Sequence, residues 1–335
     1  MKSNTPKAEF PIIFSPENPN MAVMQMPPRL SVIEAVVFKT SYHQLLDETV
    51  QPHEIILDFN QTKFIDSSGV GALVNNLKST NQQGKKLILQ NVRPPVMAVL
   101  SMTGLNQVLT IECAPTVPET ASKNSTVSRP PETHPSLRCG VKRFVDIVGS
   151  LVGLAITGIL FVPIAIAIKL TSRGPIFFGQ TRCGWMGRRF TIWKFRSMCN
   201  NAEALKSQVK NQVSGAFFKN EDDFRITPVG RFLRRTSLDE LPQFWNVLKG
   251  DMSLVGTRPP TPNEVEIYEV PEWQRLNVKP GMTGEWQVYG RSQVRDFEDV
   301  IRLDLRYQEN WSLMYDFKLI VQTILILFRK NSGAY

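Results

Sequence analysis

The sequence predicts an α/β protein in two parts: a small N-terminal α/β domain, then an α+β, membrane-associated catalytic domain with a re-entrant helical hairpin and a C-terminal interfacial helix. Three observations carry this reading. Short apolar strand runs alternate with helical spacing across 29–113. A stretch rich in Pro, Ser and Thr at 114–137 has scarcely an apolar side chain to bury and reads as a linker. Residues 147–168 then pass without a single charge, and soluble domains rarely contain such a run.

The 335 residues suffice for two cores. Charge divides at the linker: residues 1–137 hold 11 Lys+Arg against 11 Asp+Glu, and residues 138–335 hold 28 against 19. The whole net charge of +9 therefore lies in the second part. A basic half points to nucleic acid, anionic lipid or a phosphorylated substrate. Cys113, Cys139, Cys183 and Cys199 lack CxxC spacing and are accompanied by only three histidines. They read as reduced thiols without a structural zinc site. The N-terminal stretch has no sustained apolar run, so no signal peptide is expected.

Residues 1–28, rich in Pro, Asn and Ser, read as a loosely ordered tail. In the domain at 29–113, residues 55–57 form a buried-strand run. A helix is expected over 69–82 from Val70, Leu73, Val74 and Leu77, closed by Gly84. A strand follows at 86–89, a short helix starts at Pro94-Pro95, and a last strand falls near 108–111. The DSSG at 66–69 lies at a strand-to-helix junction. Asp and Ser are leading helix caps, so capping alone accounts for the motif.

The domain at 138–335 opens with the uncharged run, about 33 Å long as a helix. Arg138, Lys142 and Arg143 precede it, and Lys169, Arg173, Arg182, Arg188 and Arg189 follow. Cations at both ends favour the cytoplasmic face for both. Pro163 would kink the helix, giving a hairpin at about 144–170 that enters and leaves one leaflet; a proline-kinked span is the alternative. The basic, Gly-interrupted stretch 174–198 reads as a strand pair, and 199–227 as a helix and a loop. Met314, Phe317, Ile320, Val321, Ile324, Leu327 and Phe328 recur at helical spacing, for a helix that is either core-packed or interfacial.

The chemistry is expected within 234–260, RRTSLDELPQFWNVLKGDMSLVGTRPP. Ser237 and Glu240 have capping-box spacing, which would put Asp239 and Glu240 in the first turn of a helix. Acidic residues there also favour the helix dipole, a purely structural explanation. Arg234, Arg235, Lys249 and Arg258 change the balance, because guanidinium groups around a helix start make a phosphate site. A carboxylate so placed can act as nucleophile or bind a divalent cation.

Two resemblances follow from these motifs. DSSG, its helix, KKLILQNV and VLSMTGL together resemble a STAS domain, the fold of anti-sigma-factor antagonists, over about 85 residues. That resemblance implies a partner protein and makes Ser67 the counterpart of a phosphorylated serine. The membrane run, KFRSM, RRTSLDELPQ, NVLKGDMSLVGTRP and KPGMTG, in that order, resemble the monotopic phosphoglycosyl transferases. This second resemblance implies transfer of a sugar 1-phosphate from a UDP-sugar to undecaprenyl phosphate, releasing UMP, at the cytoplasmic face of the inner membrane. Asp239 would be the nucleophile that forms an aspartyl-phosphosugar, Glu240 its assisting carboxylate, and the pair the ligands of Mg2+. Arg234 and Arg258 match phosphate-contacting positions. Lys194 and Arg196 support the site, or alternatively pack against the dyad helix, and Arg291 adds a cation from the last loop. A homodimer is compatible with this family. Two positions depart from its usual pattern: Val162-Pro163 stands for Ser-Pro, and Gly256-Thr257-Arg258-Pro259 for GPRP. The main competing reading is a membrane-anchored STAS regulator or scaffold with an inactive transferase part. Nucleic acid is not expected, since the cations accompany a hydrophobic run and no groove-reading motif.

Overall fold

The computed structural model describes residues 10–14, 20–47, 52–112, 133–209, 220, 223–290 and 297–327, which fall into two units. The first comprises residues 1–133, 186–188 and 268–277. In chain order it holds β1 (Ile12–Phe14), β2 (Met21–Gln25), β3 (Arg29–Leu30), α1 (Val32–Asp47), β4 (Glu54–Asp58), β5 (Phe64–Ile65), α2 (Ser67–Gln82), β6 (Lys86–Gln90), α3 (Pro94–Thr103) and β7 (Thr110–Glu112). The main sheet has the order β1-β2-β4-β6-β7 and β3 pairs with β5. Only the β1–β2 pairing is antiparallel; β2–β4, β4–β6 and β6–β7 are parallel. The apolar runs of β4 and β6 occupy its centre and are buried on both faces, as expected of parallel strands.

This sheet corrects the reading of residues 1–28 as a tail, since β1 and β2 belong to it and Ala22, Met24 and Met26 are buried. The proline-rich flanks masked a clean alternation in MAVMQ, whose even-numbered side chains face the core. Helix α1, not singled out by its spacing, contributes Phe38, Tyr42, Leu45 and Leu46 to the same core. The expected helix over 69–82 begins two residues earlier, with Asp66 accepting from the Gly69 amide at 3.0 Å as its cap. The 3-10 helix Val270–Asn277 packs on α1 and α2 within this unit. Its Trp273 ring occupies the space where a Cβ on Gly71 would lie. Most of the expected linker, residues 113–132, and Cys113 with it, lie outside the described residues.

The second unit comprises residues 134–185, 189–267 and 278–335. It holds α4 (Pro135–Arg138), α5 (Gly140–Thr171), β8 (Phe177–Cys183), β9 (Arg189–Phe195), α6 (Pro228–Arg235), α7 (Phe244–Lys249), β10 (Ser253–Val255), α8 (Pro262–Glu266), β11 (Gly281–Thr283), α9 (Glu285–Tyr289), α10 (Phe297–Glu309) and α11 (Leu313–Leu327). Strands β8 and β9 form the expected strand pair, which is antiparallel with Phe177 opposite Phe195 and Cys183 opposite Arg189. Strands β10 and β11 pair in parallel. In place of the helix expected within 199–227, the described residues there show turns and the short 3-10 helix Lys206–Gln208; residues 210–219 and 221–222 lie outside them.

Helix α5 is one continuous 32-residue helix with Pro163 inside it, not a hairpin of two arms. A proline late in a long helix forfeits one backbone bond, and turns on both sides hold the helix together. One face touches the second unit along its whole length. Lys142 donates to the Val255 carbonyl (3.0 Å), Gly149 abuts Leu254, Gly153 abuts Phe244, and Thr157 reaches the Leu241 carbonyl (3.4 Å). Further on, Ile164 and Ile168 pack with Phe195 and Leu233. The other face exposes Phe144, Val148, Leu151, Val152, Ile159 and Leu170. Helix α11 is divided in the same way. Leu319 is buried with Val255, Val278 and Tyr307, whereas Met314, Phe317, Ile324 and Leu325 are exposed; the core-packed reading holds for one face, and the other is apolar and exposed. Phe328 lies outside the described residues.

Candidate active site

Asp239 and Glu240 sit on a 3-10 helix, Leu238–Gln243, between α6 and α7. Leu238 and Leu241 anchor that turn in the cluster of Ile164, Ile168, Phe195 and Leu233. Helix α5, β9 and α6 thereby fix the dyad's position. The capping box expected from Ser237 and Glu240 does not form. Ser237 has left-handed backbone (φ 55°) and its side chain makes no cap hydrogen bond. Thr261-Pro262-Asn263-Glu264 has the same spacing and does form a capping box, at the start of α8. Pro262 presets the helical φ there; after Ser237 the chain instead winds tightly into Pro242, inside the 3-10 turn.

Released from capping, the Glu240 carboxylate accepts from Lys194 Nζ at 2.7 Å. Asp239 is almost fully buried. Burial pushes its carboxyl above the usual range; Lys194 opposes this, the Glu240 charge adds to it, and Arg234 opposes it. Arg234 is fixed by its Nε donating to Ser197 Oγ at 2.9 Å. Lys194, Arg234, Asp239 and Glu240 therefore form one electrostatic group.

A second group lies on β8 and the 256–264 segment. Arg258 donates from Nη1 and Nη2 to the two Glu264 oxygens at 2.9 and 3.2 Å. Although burial opposes it, the Arg258 charge and hydrogen bond, with Arg182, hold the Glu264 carboxyl below its usual range. Arg182 donates to the Pro259 carbonyl (3.0 Å) and to Gln180 Oε1 (2.7 Å). Burial, then the Arg258 charge, pushes Arg182 down to about 10, while Glu264 and Glu240 act against them. Arg182 thus senses both groups. Sequence reading placed it only among the flanking cations and passed over Glu264, whose signal was the second capping-box spacing.

Three expected site residues stand elsewhere. Arg196 donates to the Ser172 and Arg173 carbonyls and to Ser172 Oγ, so it closes the C-terminus of α5 instead of serving the dyad. Lys194 still lies within β9, which ends at Phe195, whereas Arg196 lies just beyond it, so the strand's alternation does not carry the second cation to the face of the first. Arg291 lies outside the described residues. Ser67, in the first unit, is buried, and its hydroxyl lies 2.6 Å from both the Trp273 carbonyl and Asn277 Oδ1.

No third acidic, His or Cys side chain gathers with the dyad among the described residues. Two adjacent carboxylates fit Mg2+, which binds through one or two carboxylates and takes its remaining ligands from water and substrate phosphates.

A buried carboxylate among cations, seated against the packed face of a long apolar helix, defines a class of site suited to anionic groups. Comparison with known proteins narrows that class: residues 137–330 match the bacterial sugar transferase family, to which the chain belongs, and residues 15–120 match the STAS domain. Over 188 residues the chain is 50% identical to galactosyl transferase CpsE of Streptococcus agalactiae serotype III, covering 56% of this chain and 42% of that one. It is 44% identical over 202 residues to the undecaprenyl-phosphate galactose phosphotransferase of Salmonella typhimurium, covering 58% and 42%. It is 35% identical over 189 residues to the exopolysaccharide production protein ExoY of Sinorhizobium fredii, covering 55% and 83%. The chain spans about two-fifths of the length of the first two relatives.

Proposed function

We propose that this protein transfers a sugar 1-phosphate from a UDP-sugar to undecaprenyl phosphate, releasing UMP, as the first step in assembling an exopolysaccharide, capsule or O-antigen repeat. The observation that carries this reading is Asp239, buried beside Lys194, Arg234 and Glu240 on a turn seated against α5. A carboxylate surrounded by cations can approach a diphosphate that would otherwise repel it.

An Asp239 oxygen attacks the phosphorus next to the sugar. The bond from that phosphorus to the UMP oxygen breaks, and UMP leaves with the electron pair. The sugar phosphate is then held on Asp239 as an acyl phosphate. A phosphate oxygen of undecaprenyl phosphate attacks the same phosphorus and releases the Asp239 carboxylate, forming the lipid diphosphate sugar. Glu240 takes the proton from the lipid phosphate, and Lys194 holds it in place for that role. Two displacements replace one direct meeting of two anions. Arg234 and Arg258 bind phosphate oxygens. Asp239 and Glu240 would hold Mg2+, which would supply charge neutralisation of the diphosphate.

Helix α5 supports a monotopic placement at the cytoplasmic face of the inner membrane. Its contacts with the second unit at both ends, and its exposed apolar face, suit a helix lying in one leaflet, and cations flank both ends. The STAS domain is read as a regulatory or scaffolding module for a partner protein. The test is UMP release by detergent-solubilised protein with Mg2+, undecaprenyl phosphate and a panel of UDP-sugars. Release by wild type and its loss in Asp239→Ala support the reading; equal release by both overturns it.

A further inference from the structure

The second unit holds a cavity of about 240 Å³ at the start of α5, lined by Cys139, Lys142, Arg143, Asp146, Lys279 and Tyr307 among others. It is distant from the dyad: Lys142 precedes Thr157, the helix residue beside Leu241, by about 22 Å of helical rise. Most of its polar groups are engaged. Lys142 pairs with Asp316 at 2.5 Å, and Arg143 donates to the Val247 and Leu248 carbonyls at 2.8 and 2.7 Å. Asp146 accepts from Ser253 Oγ and the Leu254 amide, both at 2.9 Å, and Tyr307 donates to Asp316 at 2.8 Å.

Lys279 is the exception. It is half-buried, and no described residue bonds its ammonium group. Lys279 Nζ and Arg143 Nη2 converge on Gly250, each 3.5 Å from the point where a Cβ there would sit. Burial lowers the Lys279 affinity for its proton and the Arg143 charge lowers it further, against the nearby Asp146 and Asp251 carboxylates; Lys142 acts with Arg143. The Cys139 side chain provides no cap to α5, so the first-turn amides add positive potential at the same end. Of the two cations, Arg143 is held in place by the Val247 and Leu248 carbonyls, while the Lys279 ammonium, lining the same cavity beside the helix start, has no acceptor among the described residues.

We propose that this cavity binds a phosphate-bearing anion through Lys279 and Arg143, as a site separate from the dyad. The exposed Val141, Phe144 and Val145 of the same helix turn begin the apolar face beside it, which allows a phospholipid headgroup as well as a soluble phosphate. The proposal does not depend on the transfer reaction.

Cys139 lines the cavity and reports its occupancy. Its alkylation rate would be measured by mass spectrometry on the full chain with inorganic phosphate, with phosphatidylglycerol vesicles and with phosphatidylcholine vesicles. Cys199, outside the cavity, is the internal control. Protection of Cys139 several-fold by inorganic phosphate assigns a soluble anion, and protection by phosphatidylglycerol beyond phosphatidylcholine assigns a headgroup. Either protection is lost in Lys279→Met and restored in Lys279→Arg, with Cys199 unchanged as a check on folding. No protection by any of the three, or protection that survives in Lys279→Met, overturns the proposal.

Discussion

Lys194 Nζ lies 2.7 Å from Glu240 Oε1, joining the end of β9 to the turn that carries the buried Asp239. Both partners of this pair are partly exposed, so it adds little to stability, about 0–1 kcal/mol. Its effect is on the neighbouring carboxyl: Lys194 is the largest charge opposing the upward push of burial on Asp239. Lys194→Met is therefore expected to leave the melting temperature nearly unchanged and to slow UMP release at pH 7 by about tenfold or more. Asp239 reacts as the anion, so activity is lost as pH falls through its raised value. Removing Lys194 moves that acid limb to higher pH, which a single-turnover pH profile of the variant and wild type would reveal.

Glu264 has two tasks, accepting from both Arg258 nitrogens and closing the capping box with Thr261. Glu264→Ala leaves a largely buried guanidinium without its carboxylate and is expected to cost about 3 kcal/mol. Arg258→Met leaves the buried Glu264 carboxylate with the Thr261 amide and the Arg182 charge, so it is expected to cost a similar amount, about 3 kcal/mol, and in addition to raise KM for the UDP-sugar. Thermal melts of the two variants with steady-state kinetics of the second distinguish a structural clamp from a substrate contact.

Asp66 caps α2 from a buried position, where burial pushes its carboxyl up to about 6 against the Gly69 and Ser68 amides. A carboxyl raised from 3.8 to about 6 binds more protons folded than unfolded between those values. Its contribution to stability is therefore lost as pH rises from about 4 to about 6, by about 3 kcal/mol. Asn caps equally well without a charge. Asp66→Asn should raise the first unit's stability at pH 7 and leave it unchanged at pH 4, measured by denaturant titration at each pH.

Ser67 faces two oxygen acceptors, the Trp273 carbonyl and Asn277 Oδ1. Ser67→Ala forfeits one hydroxyl and should cost about 1 kcal/mol. Ser67→Asp sets a carboxylate against both oxygens and should do more. Hydrogen exchange across 268–277 would show a small rise in the first variant and a large one in the second. A phosphate on Ser67 meets the same two oxygens, so equal exchange in both variants would contradict this account of the pocket.

Much of this was legible in the residues. β4, β6 and the strand pair β8–β9 announced themselves as apolar or alternating runs, and the dyad with Arg234 and Arg258 stood out as carboxylates among cations, whereas Lys194 came only from the KFRSM resemblance. What escaped depended on local geometry. Ser237–Glu240 and Thr261–Glu264 share one spacing, and only the proline at position 262 and the left-handed backbone at 237 separate a carboxylate that closes a capping box from one that turns to Lys194. Lys194 and Arg196 are two residues apart in KFRSM, yet one meets Glu240 and the other closes α5, because β9 ends between them at Phe195. Strands β1 and β2 were hidden by prolines that border the strands instead of interrupting them.

The central claim is that Asp239 carries the sugar phosphate. Intact-protein mass spectrometry after mixing with Mg2+ and a UDP-sugar accepted in the UMP assay, without undecaprenyl phosphate, tests it most directly. The predicted result is a mass increase of one sugar phosphate, mapped to the peptide holding Asp239, absent in Asp239→Asn and discharged by adding undecaprenyl phosphate. An adduct that persists in Asp239→Asn, or UMP released stoichiometrically with no adduct at all, would contradict it.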